Sequence, residues 1–181
     1  NVLNRDFAPD APNKVWVTDI TYIRTYAGWV YAAFIIDVYS RMVVGWQLSK
    51  NLYTDLALDA LNMAIWQRTH AGDDLGGLIH HSDRGVQYRA LRYTERLAEA
   101  DAVTSVVSKG DSYDNAMAES PMKTLKVEGV YPMDFETFDD VAEQLPRFIE
   151  KHNDQRLHSA PGYRSPAQFE ENARPPVKTA A

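Results

Sequence analysis

Three carboxylates stand where a carboxylate is either costly or well placed to meet a ligand. Asp19 lies inside the strand-like run Trp16-Val-Thr-Asp-Ile-Thr-Tyr-Ile23. A charge embedded in a central strand is expensive unless it is paired or holds a metal ion. Asp83 follows a short apolar run, Leu78–His81, and precedes Arg84-Gly85; in open sheets, ligands gather at such strand ends. Glu119 sits in a stretch of helical composition, with thirty-five residues between it and Asp83. Each has an ordinary alternative: a satisfied core polar group for Asp19, a turn residue for Asp83 and an exposed helix face for Glu119. Brought together, they would form an oxygen-only ligand set of the kind that hard divalent cations take.

Other polar residues fit a different pattern. Lys123 and Lys126 follow Glu119 by four and seven positions, so on one helix all three share a face; the plain alternative is a surface Glu–Lys pair. Asp37, a fourth carboxylate in an apolar run, has Ser40 and Arg41 nearby and is expected to pair locally or make a turn. Among the five histidines, His80 and His81 are adjacent and must point to opposite sides of a strand. No histidine pair has a cysteine partner at zinc-ligand spacing.

Composition narrows the classes. The 181 residues contain no cysteine, which removes disulfide scaffolds, thiolate metal sites and cysteine nucleophiles. Hydrophobic residues make up 45% of the chain, enough for one domain with a real core. No run of about 18 apolar residues is present, and the first six residues lack the basic start and apolar stretch of a signal peptide. A soluble, cytoplasmic protein is expected. The formal charge of −6 argues at first against a nucleic-acid partner, since such domains are usually basic.

The elements that must position these residues read as follows. Residues 1–14, with Pro9 and Pro12, form an extended lead-in. Val15–Arg24, Trp29–Tyr39 and Met42–Leu48 are β-branched and aromatic runs separated by hairpin-sized gaps, which predicts a three-stranded antiparallel meander. From Thr54 to about Thr69 the period becomes helical, through Leu58, Leu61 and Ile65, with Thr54 as N-cap. A short strand Leu78–His81, a helix Tyr88–Ala100 and a strand Val103–Val107 come next. Asp114–Val127 and Phe135–Asn153 are helical in composition, although Pro146 interrupts the second. A last helix starts at Ser165-Pro166, with Ser as cap and Pro in the first position. Residues 172–181 read as a flexible tail. Strands alternating with helices after a meander imply a mixed sheet covered by helices, with the core at 15–171.

With these stretches in place, the chain resembles the catalytic core of the retroviral-integrase-like transposases, of the type that insertion sequences encode in a second reading frame. The resemblance rests on Asn13-Lys-Val-Trp-Val-Thr-Asp-Ile-Thr-Tyr22, Ile36-Asp-Val-Tyr-Ser-Arg41, His80-His-Ser-Asp-Arg-Gly-Val-Gln-Tyr88, Lys109-Gly-Asp-Ser-Tyr-Asp-Asn-Ala116 and Arg156-Leu-His-Ser-Ala-Pro-Gly-Tyr-Arg-Ser-Pro166. It implies an RNase H-like α/β fold with a mixed five-stranded sheet. It also implies a DDE triad at Asp19, Asp83 and Glu119, at the family's own thirty-five-residue spacing, as both catalytic residues and metal ligands. Two Mg²⁺ ions, for which Mn²⁺ substitutes, would activate the attacking and leaving oxygens of a phosphodiester. The attacker would be water in the first cut and a DNA 3′-hydroxyl in strand transfer. The alternatives from the same fold are a nuclease that cuts without joining, and a DNA-binding or assembly module with an impaired site.

The resemblance extends to the surroundings. A basic residue seven positions after the Glu contacts the DNA end in this family, and Lys126 matches it. Lys123 shares its face, while Lys109 and Tyr113 in the loop before Glu119 offer a charge and a stacking surface beside DNA. Arg156 would hold phosphate, and Asn115 and His158 would support the site from behind. Partners implied are transposon ends and target DNA, further copies of the same chain on DNA, and an N-terminal helix-turn-helix region of the full-length protein. A bacterial, nucleoid-associated location would follow. One residue departs from the pattern: Pro121 stands where relatives carry an aromatic. Either the helix kinks at Glu119, or it starts there with Ser120 as cap.

The negative charge then fits better. The three proposed ligands account for half of it, and Asp134–Glu143 carries five acids with no base. DNA affinity is expected to be weak and strongly dependent on salt and divalent metal.

Overall fold

The computed structural model describes residues 9–83, 85–106, 122–123, 126–130, 134–158 and 162–173. Glu119, Lys109, Tyr113, Asn115 and Pro121 lie outside the described residues, as does the tail from 174 onwards.

The meander is present. Strands β1 (Val15–Thr25), β2 (Gly28–Asp37) and β3 (Val43–Ser49) pair antiparallel in sequence order. The β1–β2 hairpin closes with Gly28 at a φ of +132°, a conformation that L side chains rarely adopt. The β2–β3 link is longer than the two residues expected. It runs from Val38 to Met42, with Arg41 at a φ of 69° and its N–H bonded to the carbonyl of Asp37. Strand β4 (Ile79–Ser82) then joins β1 in parallel, and β5 (Val103–Val106) joins β4 in parallel. The sheet order is β3-β2-β1-β4-β5, the mixed five-stranded sheet expected from the sequence.

Both faces are covered. Alternate residues of β2 point to opposite sides: Ala33 and Ile35 toward one core, Ala32, Phe34 and Ile36 toward the other. Helix α1 (Thr54–His70) closes the first face through Leu61, Ala64 and Ile65, and α2 (Leu91–Glu99) adds Tyr93 and Leu97. Helix α3 (Phe138–Asp154) closes the second through Val141, Leu145 and Ile149. Each buried Leu, Ile or Val among these contributes roughly 1.5–3 kcal/mol by leaving water. Gly45 of β3 lets α1 approach the sheet: a Cβ there would lie 2.3 Å from the carbonyl oxygen of Ala60.

Helix ends follow local chemistry, with two departures. Thr137 caps α3 in a reciprocal capping box with Asp140, and the helix runs through Pro146. Ser165 Oγ accepts from the N–H of Gln168 at the start of α4 (Pro166–Ala173), as the Ser-Pro pair predicted. Thr54, however, is the first helical residue of α1; the cap is Tyr53, in extended conformation, with no side-chain bond. Helix α2 begins at Leu91 rather than Tyr88, because successive turns bond Tyr88 to Gly85 and Arg89 to Val86, and Ala90 is extended.

A buried ionic cluster fastens α4 to the core. Arg68 of α1 meets Glu170 of α4 through both guanidinium branches, at 2.5 and 2.6 Å, and Ser40 donates to the same carboxylate at 2.6 Å. Asp37 completes it, 3.6 Å from Arg68. Its carboxylate also accepts from the backbone N–H of Asn13 and Tyr39 and from the Trp16 indole. The turn expected around Asp37 is therefore real, but its charged partner is Arg68, brought from another element by packing, and not Arg41. Burial pushes the Asp37 carboxyl up to about 6, against the bond from Asn13 and the Arg68 charge.

Candidate active site

The site begins where the parallel pair β1–β4 stops. The ladder matches Val15 with Ile79, Trp16 with His80 and Val17 with His81. Asp19 and Asp83 each stand two residues past the last paired residues of this ladder, Val17 and His81. The two carboxylate-bearing positions therefore lie where the parallel pair opens, past the carboxyl end of its ladder. Such openings bind ligands in open α/β sheets. Because β4 pairs only with the first residues of β1, Asp19 has lost a neighbouring strand on that side, and its side chain is 37% exposed. This is how a carboxylate fits within a strand whose preceding residues, Val15 to Thr18, are buried.

Asp19 is held on two sides. Oδ1 accepts from the N–H of Ile20 at 2.8 Å, and Oδ2 takes the ammonium of Lys126 at 2.6 Å. Lys126 opens a π-helical turn, Lys126–Val130, a feature common at functional sites. Met122 and Val130 seat this segment in the core. Lys123 is exposed.

Asp83 is exposed and organised by its own turn. Its Oδ1 accepts from the N–H of Gly85 at 2.7 Å. A Cβ on Gly85 would stand 2.8 Å from that same oxygen and 3.0 Å from Oε1 of Gln87. Glycine is needed here by space, to leave Asp83 where it is. Beneath the turn, Tyr88 packs edge-on against Tyr93, with ring centroids 5.5 Å apart. Tyr93 in turn contacts His80 Nε2 at 3.0 Å. Burial raises the Tyr88 hydroxyl well above its usual pKa, and the negative charges of Asp19 and Asp83 both add to that rise.

Among the described residues no three potential metal ligands form a cluster; Asp19 and Asp83 supply two, and Glu119 lies outside. What the structure shows of the pair suits a hard cation: both carboxylates are accessible, both are oxygen donors, and one already attracts a positive charge.

The C-terminal signature lies beyond the other end of the π turn. Glu128 embraces Arg156, with Oε2 2.5 Å from Nε and Oε1 against Nη2. Arg156 Nη1 lies 2.9 Å from Nδ1 of His158. Burial, then His152 and Arg156, hold the His158 imidazole down to about 4, so it meets Arg156 as a neutral ring at pH 7. Sequence reasoning singled out Arg156 and His158 but missed Glu128. No local signal marks an acid whose partner stands twenty-eight residues on.

Comparison with known proteins identifies the fold and the family. The chain matches the integrase core domain family over residues 9–112, and a second integrase core domain family over residues 101–166. It is 41% identical over 172 residues to the putative transposase for insertion sequence element IS986/IS6110 of Mycobacterium tuberculosis (strain ATCC 25177 / H37Ra), covering 94% of this chain and 62% of that protein. It is 40% identical to the transposase for IS629 of Shigella sonnei, covering 93% of this chain and 55% of that one. The chain thus spans about three-fifths of the length of these curated relatives. The catalytic core domain of BIV integrase has the same fold at 17% identity, with a TM-score of 0.65, 89% of this chain and 95% of that one covered. The HTLV-2 integrase catalytic core domain in complex with magnesium aligns with a TM-score of 0.63 at 14% identity, over 89% of this chain and 98% of that one. These folds are RNase H-like, and the sheet order and the two-sided cover of helices place this chain among them. The chain belongs to the integrase core domain family, and its similarity within that family is to the transposases of bacterial insertion sequences.

Proposed function

We propose that this chain is the catalytic domain of a DNA transposase, which cuts the ends of an insertion sequence and joins them to target DNA. The observation that supports the proposal is the end of the β1–β4 ladder, two residues past which stand Asp19 and Asp83, with Asp19 already paired to the Lys126 ammonium. In this reading Asp19, Asp83 and Glu119 hold two divalent ions, Mg²⁺ with Mn²⁺ as substitute. When bound, the ions neutralise the phosphate and activate the attacking and leaving oxygens. The residues of the chain do the rest. Asp19 is oriented by the Ile20 N–H and Asp83 by the Gly85 N–H. Lys126 and Arg156, with Lys123, Lys109 and Tyr113, grip the DNA backbone and end. Asn115 and His158 hold their neighbours in place. The chain needs no covalent intermediate, because water and then a DNA 3′-hydroxyl serve as nucleophiles.

The relatives' names support transposition as the whole protein's role, with transposon ends and target as DNA partners. In this reading several copies assemble on paired ends, and a helix-turn-helix region elsewhere in the full-length protein reads the end sequence. The test is a strand-transfer assay with labelled donor ends, comparing the wild type with Asp83→Asn. Joined product that requires Mg²⁺ or Mn²⁺ and disappears in Asp83→Asn supports the reading. Cleavage without joining would make the domain a nuclease, and metal-independent binding without cleavage an assembly module.

A further inference from the structure

Lys126 and Arg156 are both engaged by carboxylates, and one short turn links the two contacts. Lys126, the first residue of the π turn, meets Asp19; Glu128, two residues on, meets Arg156. The second contact has a specific form. Glu128 uses both oxygens, and Arg156 offers Nε and Nη2, the edge of the guanidinium that forks onto a planar anion. A phosphodiester binds arginine through the same two-pronged edge. The remaining branch, Nη1, is turned to His158. The pair is accessible: the side chains of Arg156 and Glu128 are 26% and 46% exposed. They open onto a groove of about 870 Å³ that Lys151, Arg147 and Glu143 also line, the last two paired at 3.0 Å.

We infer that Glu128 is an internal stand-in for a DNA phosphate, filling the phosphate-binding edge of Arg156 in the free protein and yielding it when the backbone docks. The inference rests on the proposed role of Arg156 in holding DNA and adds a residue that tunes it. Glu128 sets how tightly, and with what salt response, that arginine engages. Because the pair is partly exposed, it is weak enough to exchange. The Glu128 carboxyl is nonetheless held below its usual pKa, first by the hydrogen bonds from Arg156, so it stays an anion throughout the neutral range.

The experiment measures binding of the full chain to a labelled DNA duplex in EDTA over a series of KCl concentrations, for wild type, Glu128→Gln, Arg156→Gln and the double variant. Glu128→Gln is expected to bind up to about five-fold more tightly at low salt. Its plot of log affinity against log salt should steepen by about one phosphate contact. In the Arg156→Gln background the same change should have almost no effect. Equal tightening in that background would overturn the inference, since a general loss of negative charge would then explain it. Weaker or unchanged binding by Glu128→Gln alone would also overturn it, leaving Glu128 as a brace. If Arg156→Gln binds like the wild type, the DNA role of Arg156 fails first, and the inference falls with it.

Discussion

Lys126 Nζ stands 2.6 Å from Oδ2 of Asp19, a contact between residues 107 positions apart in the chain. A cation and a proposed metal ligand therefore share one carboxylate oxygen. On the proposed assignment, metal binding at Asp19 and release of Lys126 toward DNA would be two sides of one exchange. The integrase-like fold makes this possible because β1 outruns β4, leaving Asp19 open on the side where the π turn arrives.

The exchange predicts opposite effects of one substitution. Lys126→Met removes the competing ammonium, so Mn²⁺ should bind more tightly. The gain is limited to about five-fold, because a partly exposed ion pair is worth about 1 kcal/mol or less. DNA affinity should fall, with the salt slope reduced by about one contact. Calorimetric Mn²⁺ titration and a salt series of DNA binding measure the two. Mn²⁺ affinity that drops in Lys126→Met would mean that Lys126 supports the metal site and does not compete with it.

Gly85 gives a second test at the other carboxylate. A methyl group at this position would press on Asp83 Oδ1 at 2.8 Å and on Gln87 Oε1 at 3.0 Å. Asp83 is exposed and Gln87 only partly buried, so both side chains can shift and stability should change little. Asp83, however, would be turned from its bond with the Gly85 N–H. Gly85→Ala is therefore expected to lose about ten-fold in Mn²⁺ affinity, a loss typical of outer-shell changes, with a melting temperature close to that of the wild type. Unchanged affinity would separate Asp83 from the metal.

Residue by residue, legibility in the sequence followed the range of the interaction. The meander was visible because β-branched and aromatic runs carry their preference locally, and Asp19 because a charge among buried strand residues contradicts its surroundings. Asp37 was seen as a charge needing a partner, yet the partner is Arg68, thirty-one residues away, where only packing could bring it. Glu170 and Glu128 gave no sign at all. An acid on a helix or turn reads as solvated until the fold sets an arginine against it. Tyr88 read as the start of a helix, although the turns after Gly85 carry it into the core.

The buried cluster around Arg68 should behave as a unit. Arg68→Met leaves Glu170 and Asp37 buried without their cation, and removal of one partner of such a pair costs about 3–5 kcal/mol. Replacing both members, Arg68→Met with Glu170→Leu, removes this pair together, leaves Asp37 only its neutral donors, and should recover part of that loss. Urea unfolding of the two singles and the double measures the coupling. Additive losses would show that Arg68 and Glu170 act through separate contacts, contrary to the pairing of their side chains at 2.5 and 2.6 Å.

Acid stability follows from the buried histidines. Burial is the first cause of a lowered pKa at His80, His152 and His158, taking His80 to about 3 and His158 to about 4. In the unfolded chain these rings titrate near 6.5. Below that pH the unfolded state binds protons that the folded state refuses, so stability is full above about 6.5 and falls as the pH drops. Asp37 acts in the other direction. With its pKa raised to about 6 from 3.8, it stabilises the fold fully below 3.8, and that contribution is lost as the pH rises to 6. Three histidines outweigh one aspartate, although the half-exposed His158 contributes least. The net change on acidification from pH 7 to pH 5 is a loss, at up to about 1.4 kcal/mol per pH unit for a ring that stays fully neutral. His80→Gln keeps an acceptor for the Tyr93 hydroxyl and removes the titration. Urea unfolding at the two pH values should show the loss reduced by about 2 kcal/mol in this variant. An undiminished loss would place the acid sensitivity on another group.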